Sequence, residues 1–139
     1  MCVFCDVVNG DIAAHIVYNR GNAVAFLDHR PLFEGHTLVV SRTHYQTLVE
    51  LPRDQVDAYF GSVQLLAAAV RDATGAAGTF IAINNHVSQS VPHLHTHVVP
   101  RRPKDGLRGF FWPRKKYASE EAMENVAALI RRRVEELSR

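Results

Sequence analysis

The segment Val91-Pro-His-Leu-His-Thr-His-Val-Val-Pro100 carries histidine at every second position, namely His93, His95 and His97. A period of two is typical of a β-strand, so an extended backbone points the three imidazoles to one face, with neighbouring Cα atoms about 6.6 Å apart. Leucine, threonine and valine occupy the alternate positions and suit a packed core. A sheet face that consists of imidazoles predicts chemistry at this strand.

Strand-like segments also occur upstream of the histidines. A turn at Gly21-Asn22 separates two short apolar runs, which is typical of a hairpin. The predicted strands, in chain order, are residues 15–19, 23–28, 35–40, 80–84 and 93–99. Their clustering and short connections predict an antiparallel sheet of about five strands.

Helical patterns fill most of the remaining chain. A short helix is predicted over residues 4–8, and a long internal one over residues 52–74, with Gly75 at its C-terminal stop. A last helix is predicted after Ser119, and its apolar stripe consists of Met123, Val126, Ile130, Val134 and Leu137. The fold class is therefore predicted to be α+β.

Length and composition are those of an ordinary globular protein. The chain has 139 residues, 47% hydrophobic and 22% charged, so we expect one domain over residues 1–139. No apolar run approaches the roughly 20 residues of a membrane span, and no leader peptide is visible. We expect a cytoplasmic protein that binds neither membranes nor nucleic acids.

Residues 101–116 contain seven basic side chains against one acid, Asp105. A solvated loop and a phosphate-binding collar both fit this composition, and the position directly after the histidine segment favours phosphates. Phe110, Phe111 and Trp112 lie in the same stretch and could stack on a nucleobase.

The two cysteines of the chain, Cys2 and Cys5, are too few for a disulfide framework. Their Cys-x-x-Cys spacing fits either a redox pair or half of a zinc site that needs two further ligands.

Three alternating imidazoles support two kinds of chemistry. On a straight strand they span about 13 Å, too far to meet one ion through Zn–N bonds of about 2.0–2.1 Å. A nucleophilic His95 whose neighbours hold its tautomer and stabilise charge suits the spacing better. A metal-dependent oxygenase or hydrolase remains the alternative.

The run from His93 to Val99 resembles the His-φ-His-φ-His-φ-φ signature of the histidine-triad (HIT) family of Hint- and Fhit-like nucleotide hydrolases and transferases, although Thr96 stands at a normally apolar position. Phe26-Leu-Asp28, residues 35–40, His44 and Asn84-Asn85 follow the order of the same family. The resemblance covers about residues 2–102. It implies a HIT-like fold for this core, with the basic-aromatic segment and the last helix (103–139) beyond it, and a homodimer.

The same resemblance implies catalytic roles. His95 is expected to attack the α-phosphorus of a nucleotide and form a covalent nucleotidyl-histidine. His97 would supply charge or a proton beside the phosphate, and His36 would belong to the same polar network. Ser90 would hydrogen-bond the leaving group.

Nucleotide-binding residues follow from the resemblance as well. Asp28 would hold the ribose hydroxyls, Asn84 (or less favourably Asn85) would lie near sugar and phosphate, and Gln89 would lie beside Ser90. The residues expected around the base are Phe4, Val7, Phe26, Leu27 and His29. The family's glycine-bearing loop before the triad is replaced here by residues 84–90, which are shorter and lack glycine. Their contacts to phosphate are therefore less defined.

One branch of the family holds a structural zinc, and its ligand positions match Cys2, Cys5, His44 and His93. His93 would then be a ligand rather than a catalyst, and the chemistry itself would need no metal.

The resemblance therefore implies hydrolysis or transfer of a nucleoside monophosphate, with AMP favoured over GMP. The basic stretch favours a diadenosine polyphosphate substrate. A nucleoside phosphoramidate or adenylated amine is the alternative substrate, and a nucleotide-binding regulatory module with little catalysis is the alternative function.

Overall fold

The computed structural model describes residues 1–108 and 113–138, so Phe110, Phe111 and Trp112 lie outside the described residues. Five strands form an antiparallel sheet in the order β1-β2-β3-β5-β4. The strands are β1 (Ile16–Arg20), β2 (Ala23–Leu27), β3 (Thr37–Ser41), β4 (Gly78–Ala82) and β5 (His95–Arg101). The α-helices are α1 (Val3–Asn9), α2 (Val56–Thr74) and α3 (Glu120–Leu137). The predicted α+β fold is confirmed.

The chain forms two compact units, Met1–Asp105 and Gly106–Arg139. The first contains the sheet with α1 and α2, and the second contains α3. Among the described helices, none combines the length and the apolar character that a bilayer crossing requires.

Alternation along the strands sorts side chains to the two faces of the sheet. Ala23, Ala25, Val39, Leu94 and Val98 pack in one cluster with the apolar side of α2. The intervening residues of β2 and β3 pack in a second cluster with α1, formed by Phe4, Val7, Val24, Phe26, Leu38 and Val40. Since β5 alternates in the same way, its histidines lie on the α1 face.

Most strand boundaries differ from the predicted ones by one or two residues, the long helix begins later than predicted, and two of these differences have a clear physical cause. The long helix begins at Val56 instead of residue 52, because Pro52 has extended backbone (φ −56°, ψ 140°) and a 3-10 turn, Arg53–Gln55, precedes the helix. The last strand begins at His95 instead of residue 93, because the Leu94 N–H leaves the ladder and donates to the Tyr45 carbonyl at 2.6 Å.

Thr96, the polar residue at a normally apolar position of the triad, faces α2. Its Oγ1 lies 2.8 Å from the hydroxyl of Tyr59, which also donates to the Val39 carbonyl at 2.8 Å. Both side chains are fully buried, and burial raises the pKa of the Tyr59 hydroxyl. A buried hydroxyl needs a partner, so the two residues satisfy each other.

We expect Tyr59→Phe and Thr96→Val each to lower the free energy of unfolding by about 1–2 kcal/mol. The first leaves the buried Thr96 hydroxyl and the Val39 carbonyl without their partner, and the second removes the hydrogen bond that the Tyr59 oxygen accepts. The double variant should lose less than the sum of the two, since both partners are then gone. Urea unfolding of the four proteins measures this. Strictly additive losses would contradict the pairing.

Candidate active site and metal cluster

The antiparallel register of β3 and β5 brings the functional histidines together. His97 is opposite Leu38 and His95 is opposite Val40, while His36 immediately precedes β3. The His95 and His97 rings lie 5.1 Å apart, and those of His36 and His97 5.2 Å apart.

The tautomer of His95 follows from its hydrogen bond. Its Nδ1 lies 2.7 Å from the backbone carbonyl oxygen of His93. A carbonyl only accepts, so Nδ1 carries the proton and Nε2 of the neutral ring holds the lone pair. Burial lowers the pKa of His95, which keeps the ring neutral near pH 7. Nε2 of His95 therefore has an unprotonated lone pair near pH 7.

A chain of hydrogen bonds fixes the tautomer of His97 as well. The Leu32 N–H donates to His36 Nδ1 at 3.1 Å, so the proton of neutral His36 is on Nε2. That Nε2 lies 2.9 Å from His97 Nδ1 and donates to it. The remaining nitrogen of His97, Nε2, therefore carries a proton and is a hydrogen-bond donor.

The pKa of His97 is lowered to about 4 by burial and by the neighbouring His95 and His36 imidazoles. Burial also lowers the pKa of His36, against the opposing effect of the Asp28 carboxylate. In the free protein near pH 7, His97 therefore offers a hydrogen bond from a neutral ring and carries no formal charge.

This pKa makes stability depend on pH. The unfolded chain binds a proton on His97 below about pH 6.5, whereas the folded chain does so only below about pH 4. We expect the free energy of unfolding to fall between pH 6.5 and 4 by about 2–3 kcal/mol from this group and then to level off. His97→Gln should reduce that slope in urea titrations, while equal slopes for both proteins would contradict it.

Asp28 lies between a turn and the histidines. Its Oδ1 accepts the Arg30 N–H at 2.9 Å, and its Oδ2 lies 3.7 Å from His36 Nε2. The carboxylate raises the pKa values of His36, His95 and His97 against the lowering effect of burial. The residue thus holds the turn and contributes negative potential at the site.

The residues expected around the base divide into two groups. Phe4, Val7 and Phe26 are buried. The Phe4 ring lies 5.0 Å from that of His95 and 5.5 Å from that of Phe26. Leu27 and His29 are exposed at the end of β2. Phe4 therefore provides an apolar surface beside the His95 ring.

Hydrogen bonds from side chains to the backbone hold the loop before β5 in place. Gln89 Nε2 donates to the Gln46 carbonyl at 2.6 Å, and its Oε1 accepts the His86 N–H at 2.9 Å. Asn85 Oδ1 accepts the Leu48 N–H at 3.0 Å. In this conformation the amide of Gln89 shapes the loop, and contact with a nucleotide stays a prediction.

The loop that lacks glycine nevertheless adopts left-handed backbone. His86 (φ 67°) and Ser88 (φ 61°) both have positive φ, a conformation that costs non-glycine residues energy. Ser90 is exposed and Asn84 is half-buried in the same loop. The loop thus retains the backbone form that glycine would favour.

A second cluster brings together the four expected metal ligands, Cys2, Cys5, His44 and His93. Nδ1 of His93 lies 3.3 Å from Cys2 Sγ, 3.5 Å from Cys5 Sγ and 3.2 Å from His44 Nδ1, and Cys5 Sγ lies 3.3 Å from His44 Nδ1. A tetrahedral zinc with normal bond lengths has N···N and N···S edges of about 3.3–3.6 Å. The cluster lines an open pocket of about 520 Å³.

Hydrogen bonding decides which histidines can bind a metal. His93 Nε2 lies 2.7 Å from the Ser41 carbonyl and carries the proton, so its Nδ1 lone pair points to the two sulfurs. Asp28, His36 and His97 also lie close together. There, however, the Leu32 N–H occupies His36 Nδ1, so neutral His36 has its proton, and no lone pair, on Nε2. Of the two clusters among the described residues, the one with the cysteines fits a metal.

Two backbone groups that orient these rings escaped sequence reasoning. The Ser41 carbonyl orients His93, and the Leu32 N–H orients His36. Neither backbone group depends on the side chain of its residue, so the residue types in the sequence could not have indicated these two hydrogen bonds.

Comparisons with known proteins identify similar sequences and folds. A HIT-like protein of Saccharolobus solfataricus is 39% identical over 86% of this chain and 88% of its own. A solved HIT-family structure from Bacillus subtilis superposes with a TM-score of 0.85 at 33% identity, covering 95% of this chain and 96% of that one. A zinc-bound histidine-triad protein from Mycobacterium smegmatis gives 0.72 at 39% identity, covering 88% of both chains.

Two relatives have named activities. An adenylylsulfatase of Arabidopsis thaliana is 34% identical over 76% of this chain and 55% of its own length. An adenosine 5′-monophosphoramidase of Schizosaccharomyces pombe is 30% identical over 86% and 89%. The HIT domain model matches residues 9–104. The match to the HIT domain model and the identity with these relatives show that the chain belongs to the HIT family, which includes nucleotide hydrolases.

Proposed function

We propose that this protein hydrolyses adenylyl compounds, AMP joined through its phosphorus to a leaving group, by way of a nucleotidyl-histidine on His95. The observation that carries the proposal is the hydrogen bond from His95 Nδ1 to the His93 carbonyl. It places the lone pair at Nε2, on the face that His97 shares.

In the first step, His95 Nε2 forms a bond to the α-phosphorus while the bond from phosphorus to the leaving group breaks. The leaving group takes that electron pair and then accepts a proton from the solvent or through the Ser90 hydroxyl. The ring becomes positively charged, which strengthens the bond from its Nδ1–H to the His93 carbonyl. The His97 Nε2–H donates to a phosphate oxygen, where negative charge increases.

In the second step, water forms the new P–O bond, the Nε2–P bond breaks, and its electron pair returns to the imidazole. The proton lost by water leaves to the solvent, and AMP is released. Phosphate in place of water would make the reaction a transfer. Both steps use only groups of the protein and its substrates.

The leaving group is proposed to be an amine or sulfate. Support comes from the adenylylsulfatase and the adenosine 5′-monophosphoramidase among the relatives. A diadenosine polyphosphate is the second candidate, and the seven basic side chains of residues 101–116 favour it.

A substrate panel tests the proposal. We expect AMP release from adenosine 5′-phosphoramidate and adenylyl sulfate with higher kcat/KM than from diadenosine tri- or tetraphosphate. In H₂¹⁸O, one ¹⁸O should enter the AMP, because water attacks phosphorus. The reverse order of substrates would favour the polyphosphates, and inactivity on all of them would contradict hydrolysis and favour the binding module.

Asp28 is proposed to hold the ribose hydroxyls. We expect Asp28→Asn to raise KM and to move the acid limb of the kcat/KM profile to lower pH, since the carboxylate raises the pKa values of His36, His95 and His97. Asp54→Asn, at an exposed position outside the site, is the control. An acid limb that stays in place would contradict the electrostatic role.

A structural zinc is proposed at Cys2, Cys5, His44 and His93. The zinc-bound relative from Mycobacterium smegmatis and the arrangement of the four ligands support it. A bound zinc would tie the N-terminal turn to the residue whose carbonyl orients His95. From the family resemblance we also propose a homodimer and a single HIT domain over residues 1–139. From composition we propose a cytoplasmic location and no nucleic acid partner.

A further inference from the structure

The loop before β5, residues 84–90, contains two strained backbone positions. His86 and Ser88 have φ angles of 67° and 61°, a left-handed conformation that costs energy in residues with a Cβ atom. Such strain persists only where the surrounding structure holds the backbone in place. Asn84 and Ser90, which are predicted to meet the nucleotide, lie at the two ends of this loop. Their positions therefore depend on the contacts that restrain the strained residues between them.

Two side-chain hydrogen bonds lie on either side of the strained residues. Asn85 Oδ1 accepts the Leu48 N–H at 3.0 Å, and Gln89 Nε2 donates to the Gln46 carbonyl at 2.6 Å. The two backbone partners belong to one short segment, residues 46–48, which lies 37 and 43 positions away from Asn85 and Gln89 in the chain. The strained part of the loop is therefore held on both sides by a single distant segment.

The segment that holds the loop is itself fixed beside His95. The Leu94 N–H, directly before His95, donates to the Tyr45 carbonyl at 2.6 Å. The Glu50 carboxylate accepts the Gln46 N–H at 2.7 Å, which fixes the backbone at this position. Because Tyr45 and Gln46 are neighbours, a short stretch of backbone connects the loop to the strand that carries His95.

The contact with Leu48 also orients the amide of Asn85. A backbone N–H only donates, so the oxygen of the Asn85 side chain must face it. This oxygen therefore faces the protein and holds the loop, while the neighbouring Asn84 remains the predicted contact with sugar and phosphate.

We propose that Asn85 is a positioning residue for the proposed hydrolysis: its hydrogen bond to the Leu48 N–H holds the loop in the form that binds the nucleotide. The proposal rests on the proposed function, because it assigns a role within that nucleotide site. Without this bond the strain of the two left-handed residues is less opposed, so a smaller fraction of the molecules has the binding-competent loop. The apparent affinity falls by that fraction, whereas bound substrate selects the same loop form as before.

Asn85→Ala tests this role in the full-length protein. We expect the KM for adenosine 5′-phosphoramidate and the Kd of AMP to rise about fivefold, with kcat within about twofold of the wild type, because one hydrogen bond that favours the competent loop is lost. Steady-state kinetics and calorimetry measure these values. Gln46→Ala is the matched control, since it removes an exposed amide side chain but keeps the carbonyl that Gln89 uses, and it should match the wild type. Wild-type values in Asn85→Ala would overturn the proposal.

Asn85→Asp separates positioning from direct contact with the nucleotide. Its carboxylate keeps an oxygen acceptor for the Leu48 N–H, so we expect KM and the Kd of AMP to return to within about twofold of the wild-type values. A side chain that touched the phosphate would instead place a negative charge against it, and Asn85→Asp would then bind more weakly than Asn85→Ala. That order of affinities would overturn the positioning role.

Hydrogen exchange of the Leu48 amide gives a readout that needs neither nucleotide nor turnover. We expect exchange about fivefold faster in Asn85→Ala and no faster than the wild type in Asn85→Asp, because the amide loses its acceptor in the first variant and keeps it in the second. Unchanged exchange in Asn85→Ala would overturn the proposal. The expected exchange rates and AMP affinities without any release of AMP from substrate would support the role of Asn85 and contradict only the proposed hydrolysis.

Discussion

His95→Ala is expected to lower kcat/KM for the adenylyl substrate by about 10⁴-fold or more, because the nucleophile of a covalent mechanism is lost. The covalent nucleotide adduct that AMP transfer leaves on the protein should disappear from its mass spectrum.

 Nucleotide binding should persist, since Asp28 and the apolar side chains around Phe4 are untouched. Steady-state kinetics, mass spectrometry after brief incubation with substrate, and calorimetry with AMP measure these three properties.

His15→Ala is the matched control for this variant. His15 is exposed, and its backbone carbonyl, rather than its ring, accepts a hydrogen bond from Leu27. The control should keep wild-type kinetics and the adduct. Added imidazole should restore part of the activity of His95→Ala, because the missing ring leaves room for it beside Phe4. Wild-type turnover in His95→Ala would show that another group attacks phosphorus.

Removal of zinc is expected to have the largest effect on stability. Saturating zinc should stabilise the fold by about 3–4 kcal/mol at free zinc concentrations roughly 100- to 1,000-fold above its Kd. Cys5→Ser replaces a thiolate ligand and should lose both the metal and this stabilisation. Native mass spectrometry gives the zinc content, and urea unfolding with and without a chelator gives the stability.

The zinc experiment also separates a structural metal from a catalytic one. We expect the chelator to lower stability and to lower activity as well, because the carbonyl that orients His95 belongs to His93, one of the proposed zinc ligands. His15→Asn, a non-ligand histidine variant, should behave like the wild type. Loss of turnover without loss of stability, restored at once by metal, would favour the metal-dependent enzyme instead. Equal zinc content in Cys5→Ser and wild type would exclude the proposed cluster.

Local patterns were sufficient for most of the fold. The period-two histidine segment, the turn at Gly21-Asn22 and the stop at Gly75 predicted elements that the structure confirms. The boundaries at Val56 and His95 differ because they depend on contacts with distant segments, such as the hydrogen bond from Leu94 to the Tyr45 carbonyl. A local sequence pattern cannot predict a hydrogen bond between residues that are far apart in the chain.

The sequence by itself determined the kinds of groups that this protein can use: imidazoles on one face of a strand, a pair of thiols near the N-terminus and an apolar stripe on the last helix. Only the tertiary structure decided which nitrogen of each ring carries the proton. Those protons depend on the carbonyls of His93 and Ser41 and on the N–H of Leu32. These are backbone groups that every residue type shares, so their roles arise from the positions that folding gives them.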